Sequence, residues 1–268
     1  MSPDEERALV TRAERGERAA FDVLVKDALP KLRAVLRRLV GSPDDTDDLA
    51  QETLLKGFEK LSTFRGEARF SSWLTSIGTR LALNHLREKR QWRWDAQVHI
   101  AKLLHSTAEG REALQAIFRS PGHRFDAREH IAFCFSCVSR SLPPAQHAAL
   151  ILRDVFDYKN REAAKALGLR ESELRRDLGE ARATMQQRFD GLCGLVSKDG
   201  ICYQCKGLRE QTPDKCSAEI PELGAESAEA RYTRRLEVSR DADLDHGAMQ
   251  DFHDMVWRDL ARLEETAR

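Results

Sequence analysis

The sequence predicts an all-α fold: two small helical units joined by a linker, followed by a cysteine-bearing segment and a C-terminal helix. Three observations predict it. Ala, Leu, Arg and Glu fill nearly every window while β-branched runs are scarce. Apolar residues return at three- and four-residue steps, the spacing of one buried helix face. With 33% charged and 7% aromatic residues in 268, the composition suits several small units with much surface rather than one large core.

The first unit spans 1–94. A helical block from Pro3 to Val40 carries Phe21, Leu24, Val25, Ala28, Leu29, Leu32, Val35, Leu36 and Leu39 on one face, and Gly41-Ser42-Pro43-Asp44-Asp45 breaks it. A second helix starts near Thr46. Leu49, Thr53, Leu54, Phe58 and Leu61 are read as its inner face, and Asp47, Asp48, Gln51, Glu52, Lys56 and Glu59 as its outer one. After a turn from Ser62 to Ala68, a third helix from Phe70 ends in the basic cluster Arg87, Lys89, Arg90 and Arg93. Residues 95–127 read as a linker able to hold one or two short helices, with Gly110, Ser120, Pro121 and Gly122 as breakers.

The second unit spans 128–190. Leu142-Pro143-Pro144 opens a helix, since Pro at a first helical position wastes no N–H. Asn160 to Leu167, the turn Gly168-Leu169-Arg170, and Glu171 to Phe189 then form a helix-turn-helix, with Gly168 in the left-handed stop position. A cysteine-containing segment (191–216) and an acidic tail (217–268) follow. Ala218 to Glu229 reads as loose. A last helix is expected over Leu244 to Ala267, with Met249, Phe252, Val256, Leu260 and Leu263 as its stripe.

The net charge is zero, but it is unevenly distributed. Residues 217–268 hold seven Lys/Arg against thirteen Asp/Glu, a net −6, so 1–216 carry +6. A basic body fits phosphate binding; the acidic tail is an ordinary solvated helix or a lid competing with DNA for the basic surface. Met1-Ser2-Pro3-Asp4 offers no signal peptide, and no stretch approaches the roughly 18 apolar residues of a membrane span, so a cytoplasmic protein is expected.

Two stretches resemble one family. Asp45-Thr46-Asp47-Asp48-Leu49-Ala50-Gln51-Glu52-Thr53, Phe64-Arg65-Gly66-Glu67, Phe70-Ser71-Ser72-Trp73-Leu74 and Arg80-Leu81-Ala82-Leu83-Asn84-His85-Leu86-Arg87 resemble region 2 of the extracytoplasmic-function sigma factors of the sigma-70 family. Leu142-Pro143-Pro144 with the helix-turn-helix resembles their region 4. The resemblance implies two sigma domains that bind core RNA polymerase, through the largest-subunit clamp helices and the flap, together with promoter DNA. It leaves room for a separate anti-sigma protein.

By that resemblance Asp47, Asp48, Gln51 and Glu52 contact the polymerase, their carboxylates complementing a basic helix. Phe64 and Arg65, with Phe70, line the pocket for a flipped base of the minus-10 element, and Arg80, Asn84, Arg87 and Lys89 hold melted DNA. Core packing is the plain reading for Trp73 and the alternative for Phe64 and Phe70. Trp92 and Trp94 either stack on single-stranded bases or anchor the linker. Arg170, Ser172, Glu173, Arg175, Arg176 and Arg182 face the minus-35 duplex. Asp177, Gly179 and Glu180 depart from the family's arginine-rich pattern, which should weaken phosphate binding.

Six cysteines remain. Two CxxC pairs, Cys134/Cys137 and Cys202/Cys205, suit a structural Zn2+ site, and Gly200 to Gly207 resembles a glycine-flanked zinc knuckle. Cys193 or Cys216 can replace a member of the first pair; a thiol switch and buried free cysteines are the other readings. The rival to a sigma factor is a helix-turn-helix repressor or activator with metal- or redox-sensing cysteines, which leaves the Asp47 to Arg90 block without a job. No phosphate loop, zinc-hydrolase motif, nucleophile elbow or thioredoxin-like context for CxxC appears, so no enzyme is expected.

Overall fold

The computed structural model describes residues 1–89, 93–196, 199–216, 219–224, 227–244 and 247–266. Helix α1 (Pro3–Glu14) opens on a capping box: Ser2 Oγ accepts from the Glu5 amide at 3.2 Å and the Glu5 carboxylate accepts from the Ser2 nitrogen at 2.8 Å. The block Pro3 to Val40 divides at Arg15-Gly16-Glu17 into α1 and α2 (Arg18–Val40). Helix α2 is the axis of the first unit, packed against α1, α3 (Pro43–Glu59) and α4 (Phe70–Glu88), and its Leu24, Leu32, Leu36 and Leu39 are fully buried.

The linker folds into α5 (Ala96–Ser106) and α6 (Ala108–Arg119). The second unit is α7 (Ala127–Ser139), α8 (Pro144–Leu150), a π-helical turn over Ile151–Val155, α9 (Asn160–Leu167) and α10 (Glu171–Leu192). Pro144 lies in the first turn of α8, and Gly168 ends α9 at φ 70°, ψ 30°, the left-handed conformation read from sequence. Three more helices follow: α11 (Gln204–Gln211), α12 (Ala228–Asp241) and α13 (Gln250–Thr266).

The two units share one apolar core that runs from Leu36 and Leu86 to Phe135, Val138, Leu150 and Leu167. Helix α4 packs on both α8 and α9, and the His147 Nε2 reaches the Leu39 carbonyl at 3.1 Å across the boundary. A second core lies on the opposite face of α7, where Ile100, Leu114, Phe133 and Cys137 meet Met249, Phe252, Val256, Trp257 and Leu260 of α13.

Three sequence expectations change. Helix α12 occupies a segment for which no helix was expected, and packs on α7 and α10. Helix α13 starts at Gln250 rather than Leu244. Phe58 touches Phe21 edge-on at 5.2 Å yet is 50% exposed, so it is not an inner-face residue. Arg90, Trp92, Ala218 and Ala267 lie outside the described residues, as does the side chain of Leu263. Among the described residues there is no strand beyond two isolated bridges, and no helix is long and apolar enough to cross a membrane.

Candidate nucleic-acid and polymerase interface

Ser42 caps α3 by accepting from the Asp45 amide at 3.2 Å, and Pro43 takes the first turn. Thr46, Leu49, Ala50 and Thr53 then turn into the core. The same periodicity puts Asp47, Asp48, Gln51 and Glu52 outside, all exposed. Asp47 pairs with Arg33 and Glu52 with Lys56 at 3.2 Å. Positions 48, 51, 52 and 55 are neighbours on one helix face, so the acidic stripe runs directly into Leu55, 67% exposed, and on to Phe58. Carboxylates beside two uncovered apolar side chains make a surface fitted to a partner carrying both basic and apolar groups.

The turn after α3 is a 3-10 turn over Leu61–Thr63, then an exposed loop with Gly66 at φ 67°. Glu6, which the sequence reading passed over, anchors its far end: the Glu6 carboxylate accepts from the Phe70 amide at 2.9 Å and pairs with Arg69 at 3.2 Å, placing a negative charge at the α4 N-terminus. Phe70 is core, 1% exposed. Phe64 and Trp73 pack on it at 5.8 and 5.5 Å while remaining half-buried. Both line a cleft of about 380 Å3 with Arg65, Arg80, Tyr158 and Lys165.

The far wall of that cleft belongs to the second unit. Arg80 donates to the carbonyls of Lys165 at 2.7 Å and Ala166 at 3.1 Å, capping the C-terminus of α9, and Lys165 pairs with Glu67 at 2.9 Å. Asn84 and Arg87 stay exposed on α4, with Arg87 donating to the Asn84 side chain at 3.1 Å, and Lys89 is half-buried. Trp94 packs against the shared core.

Helix α10 presents Arg170, Ser172, Arg175 and Arg176 to solvent, whereas Glu173 is half-buried. Glu173 accepts from the Arg170 amide and guanidinium, and these bonds hold its carboxyl down at about 2. Asp177, read as a charge facing the DNA backbone, is buried and accepts from Arg176 at 2.8 Å; Glu180 accepts from Gln146 at 2.7 Å. Arg182 turns the other way, gripping buried Asp154 with two bonds of 2.9 and 2.5 Å. Asp154 also accepts from the Tyr232 hydroxyl of α12 at 2.9 Å. Among the described residues the acidic tail leaves Arg170, Ser172, Arg175 and Arg176 exposed. It braces the back of the molecule instead: buried Arg37 pairs with Asp254, and buried Arg38 donates to the Ser239 and Ala242 carbonyls at 2.5 and 2.9 Å.

All six cysteines are free thiols. Cys137 is fully buried in the second core, where burial raises its thiol pKa. Cys216 donates to the Thr212 carbonyl at 3.3 Å. The backbones of Cys193 and Cys202 pair in an isolated β-bridge, and burial, helped by the neighbouring cysteines, pushes the Cys202 thiol up to about 11 and the Cys205 thiol up to about 12. Among the described residues no three Cys, His, Asp or Glu side chains converge tightly enough to hold a metal ion.

Residues 24–93 match the family model of Sigma-70 region 2, and residues 133–185 match that of Sigma-70, region 4. The chain belongs to the extracytoplasmic-function sigma factors of the sigma-70 family. It is 28% identical over 194 residues to the RNA polymerase sigma-H factor of Pseudomonas aeruginosa, covering 72% of this chain and 97% of that one. It is 26% identical over 187 residues to the ECF RNA polymerase sigma-E factor of Escherichia coli K12, covering 70% and 95%. Among solved structures it is similar to CnrH in complex with the cytosolic domain of CnrY, with 22% identity, a TM-score of 0.45 and coverage of 70% and 98%. As a sigma factor the protein serves promoter recognition and is not an enzyme. The region 4 match ends at residue 185, and α11, α12 and α13 lie beyond both matched regions.

Proposed function

We propose that this sigma factor docks on core RNA polymerase through the outer face of α3 and reads promoter DNA through the Phe64 to Arg80 cleft and the exposed start of α10. The observation that carries this reading is the α3 stripe Asp48, Gln51, Glu52 and Leu55, which a repressor working without polymerase would leave unused. On this reading the clamp helices of the largest subunit take the stripe, a flipped minus-10 base enters beside Phe64 and Arg65, and Arg170, Ser172, Arg175 and Arg176 meet the minus-35 duplex. The protein works in the cytoplasm, with its polymerase.

DNA loading requires a rearrangement. Arg80 is committed to the α9 carbonyls, and Tyr158 and Lys165 wall the cleft, so region 4 must leave region 2 before a base can enter. The arrangement described is therefore a closed resting form.

The test is charge reversal on α3. Asp48→Lys with Glu52→Lys is expected to weaken core polymerase binding by about tenfold or more, because like charges then face each other, and to leave the thermal midpoint unchanged because both side chains are exposed. Undiminished core binding by that variant would overturn the docking surface. Tight duplex binding without polymerase would favour the repressor reading.

A further inference from the structure

The C-terminal addition is threaded through a cluster of thiols that the sigma function does not use. Cys193 directly follows α10, and Cys202 is bridged to it, with the Gly194 amide donating to the Cys202 carbonyl at 2.9 Å and the Cys202 amide to the Leu192 carbonyl at 2.8 Å. Gly200 seals this knuckle: a Cβ there would fall 2.4 Å from the Cys193 carbonyl carbon. Cys205 sits in the first turn of α11. Cys134 approaches from α7, linked through Gln97, whose Nε2 lies 3.9 Å from the Cys134 Sγ and whose carbonyl accepts from Gln204 at 2.7 Å. Cys134 and Cys202 both pack against the shared core, and α11 packs on α7, with Cys205 against the small cluster of Ile131, Leu223 and Val238.

A second, independent feature points to an anion at this place. Arg235 of α12 is only 2% exposed and stacks over the Phe189 ring at 4.0 Å, yet its Nη1 and Nη2 have no hydrogen-bond partner among the described residues. A buried guanidinium without a counter-charge is costly. Arg235 thus sits over the last turn of α10, where the Phe189 carbonyl accepts from the Cys193 amide at 3.0 Å. Thiols cannot balance it; thiolates can.

We propose that Cys134, Cys193, Cys202 and Cys205 form a structural zinc(II) tetrathiolate site whose negative charge is balanced by Arg235. On binding, each thiol yields its proton to solvent and forms a Zn–S bond, so one Zn2+ replaces four protons and the centre carries a net charge of −2. Four sulfur donors from a knuckle and one helix suit tetrahedral zinc. Among the described residues the thiols do not converge tightly enough to hold an ion, so metal has to draw the knuckle and α11 onto α7, and local folding is coupled to binding. Cys137, enclosed by the second core, and Cys216, held at its 3-10 turn, are not ligands; Cys193 takes the place that the sequence spacing assigns to Cys137.

The test uses the full chain purified under reducing conditions with added zinc. The expected result is about one zinc per chain, and with cobalt(II) instead the visible bands and thiolate charge-transfer absorption of a tetrahedral sulfur site. Cys193→Ser and Cys205→Ser should lose this signature, while Cys137→Ser and Cys216→Ser keep it. Arg235→Met should retain the cobalt spectrum and weaken zinc affinity about 10–100-fold, the usual effect of removing an outer-shell partner. Wild-type chain with no zinc and no cobalt spectrum would overturn the site, as would a Cys193–Cys202 disulfide under the same reducing conditions. Loss of metal in Cys137→Ser but not in Cys193→Ser would overturn the ligand set. The wild-type cobalt titration stands even if a cysteine variant fails to fold.

Discussion

Asp254→Ala should release the tail from region 2. The Arg37 side chain is 2% exposed, and its acceptors among the described residues include the Asp254 carboxylate, the Gly41 carbonyl and, at 3.3 Å, the Leu244 carbonyl. Deleting one member of a fully buried ion pair costs about 3–5 kcal/mol. Asp254 is 17% exposed and Arg37 keeps two carbonyls, so the expected loss is about 2–3 kcal/mol, a factor of about 30–150 in the ratio of docked to undocked tail. Hydrogen exchange of α13 amides reads this directly, since local opening sets their protection, and urea unfolding reads the global share. Glu237→Ala is the control: Glu237 pairs with Arg234 at 3.8 Å with both side chains more than half exposed, and its loss should cost at most about 1 kcal/mol. If Asp254→Ala protects α13 as well as Glu237→Ala does, the buried pair is not what holds the tail.

Two further outcomes follow from the back of the molecule. Trp257 lies across Gly41 and edge-on to Phe133 at 5.6 Å, so Trp257→Ala should cost about 3–5 kcal/mol in urea unfolding; Gly41→Ala, at φ 80° with its Cβ 2.3 Å from the indole, should destabilise wild type more than it does the Trp257→Ala background. Acid should unfold the protein early. Burial holds His130, His147 and His253 neutral down to about 3, against 6.5 when solvated, so below pH 6 the unfolded chain binds up to three more protons and stability falls as pH drops. Glu129, raised by burial to about 7 from 4.5, opposes this with one proton, leaving about two and a slope of roughly 3 kcal/mol per pH unit near pH 5. A flat urea midpoint between pH 6.5 and 4.5 would contradict it.

The two sigma units were readable from sequence because their signals are local. Gly168 ends α9, Pro144 opens α8 and Ser42 starts α3, each through backbone chemistry that needs no distant partner. The packing of one unit on the other was not readable. The family resemblance assigns Arg80 to DNA, and only the fold brings the α9 carbonyls to it. Helix α12 escaped for a related reason. Its buried side includes Arg235 and Ser239 beside Tyr232, Leu236 and Val238, so the apolar stripe that marks a helix is interrupted by polar residues that become buried only in the folded chain.

These buried polar groups explain why the addition is one structure rather than a loose tail. Its acidic charge allows either an ordinary solvated helix or a lid over the basic surface, and Arg170, Ser172, Arg175 and Arg176 stay exposed with the described residues of the tail in place. Its carboxylates and carbonyls meet Arg37 and Arg38 at the end of α2 instead, and its Arg231 grips Asp190 near the end of α10 at 2.9 and 2.6 Å. A segment bonded to α2 in region 2 and to α7 and α10 in region 4 resists their separation wherever the DNA surface lies. On the proposed opening of region 4 from region 2 this brace would have to yield, and the cysteine cluster lies where α7, the end of α10 and the addition meet. If zinc organises that junction, removing it should make the resting form easier to open without altering any residue of the DNA or polymerase surface.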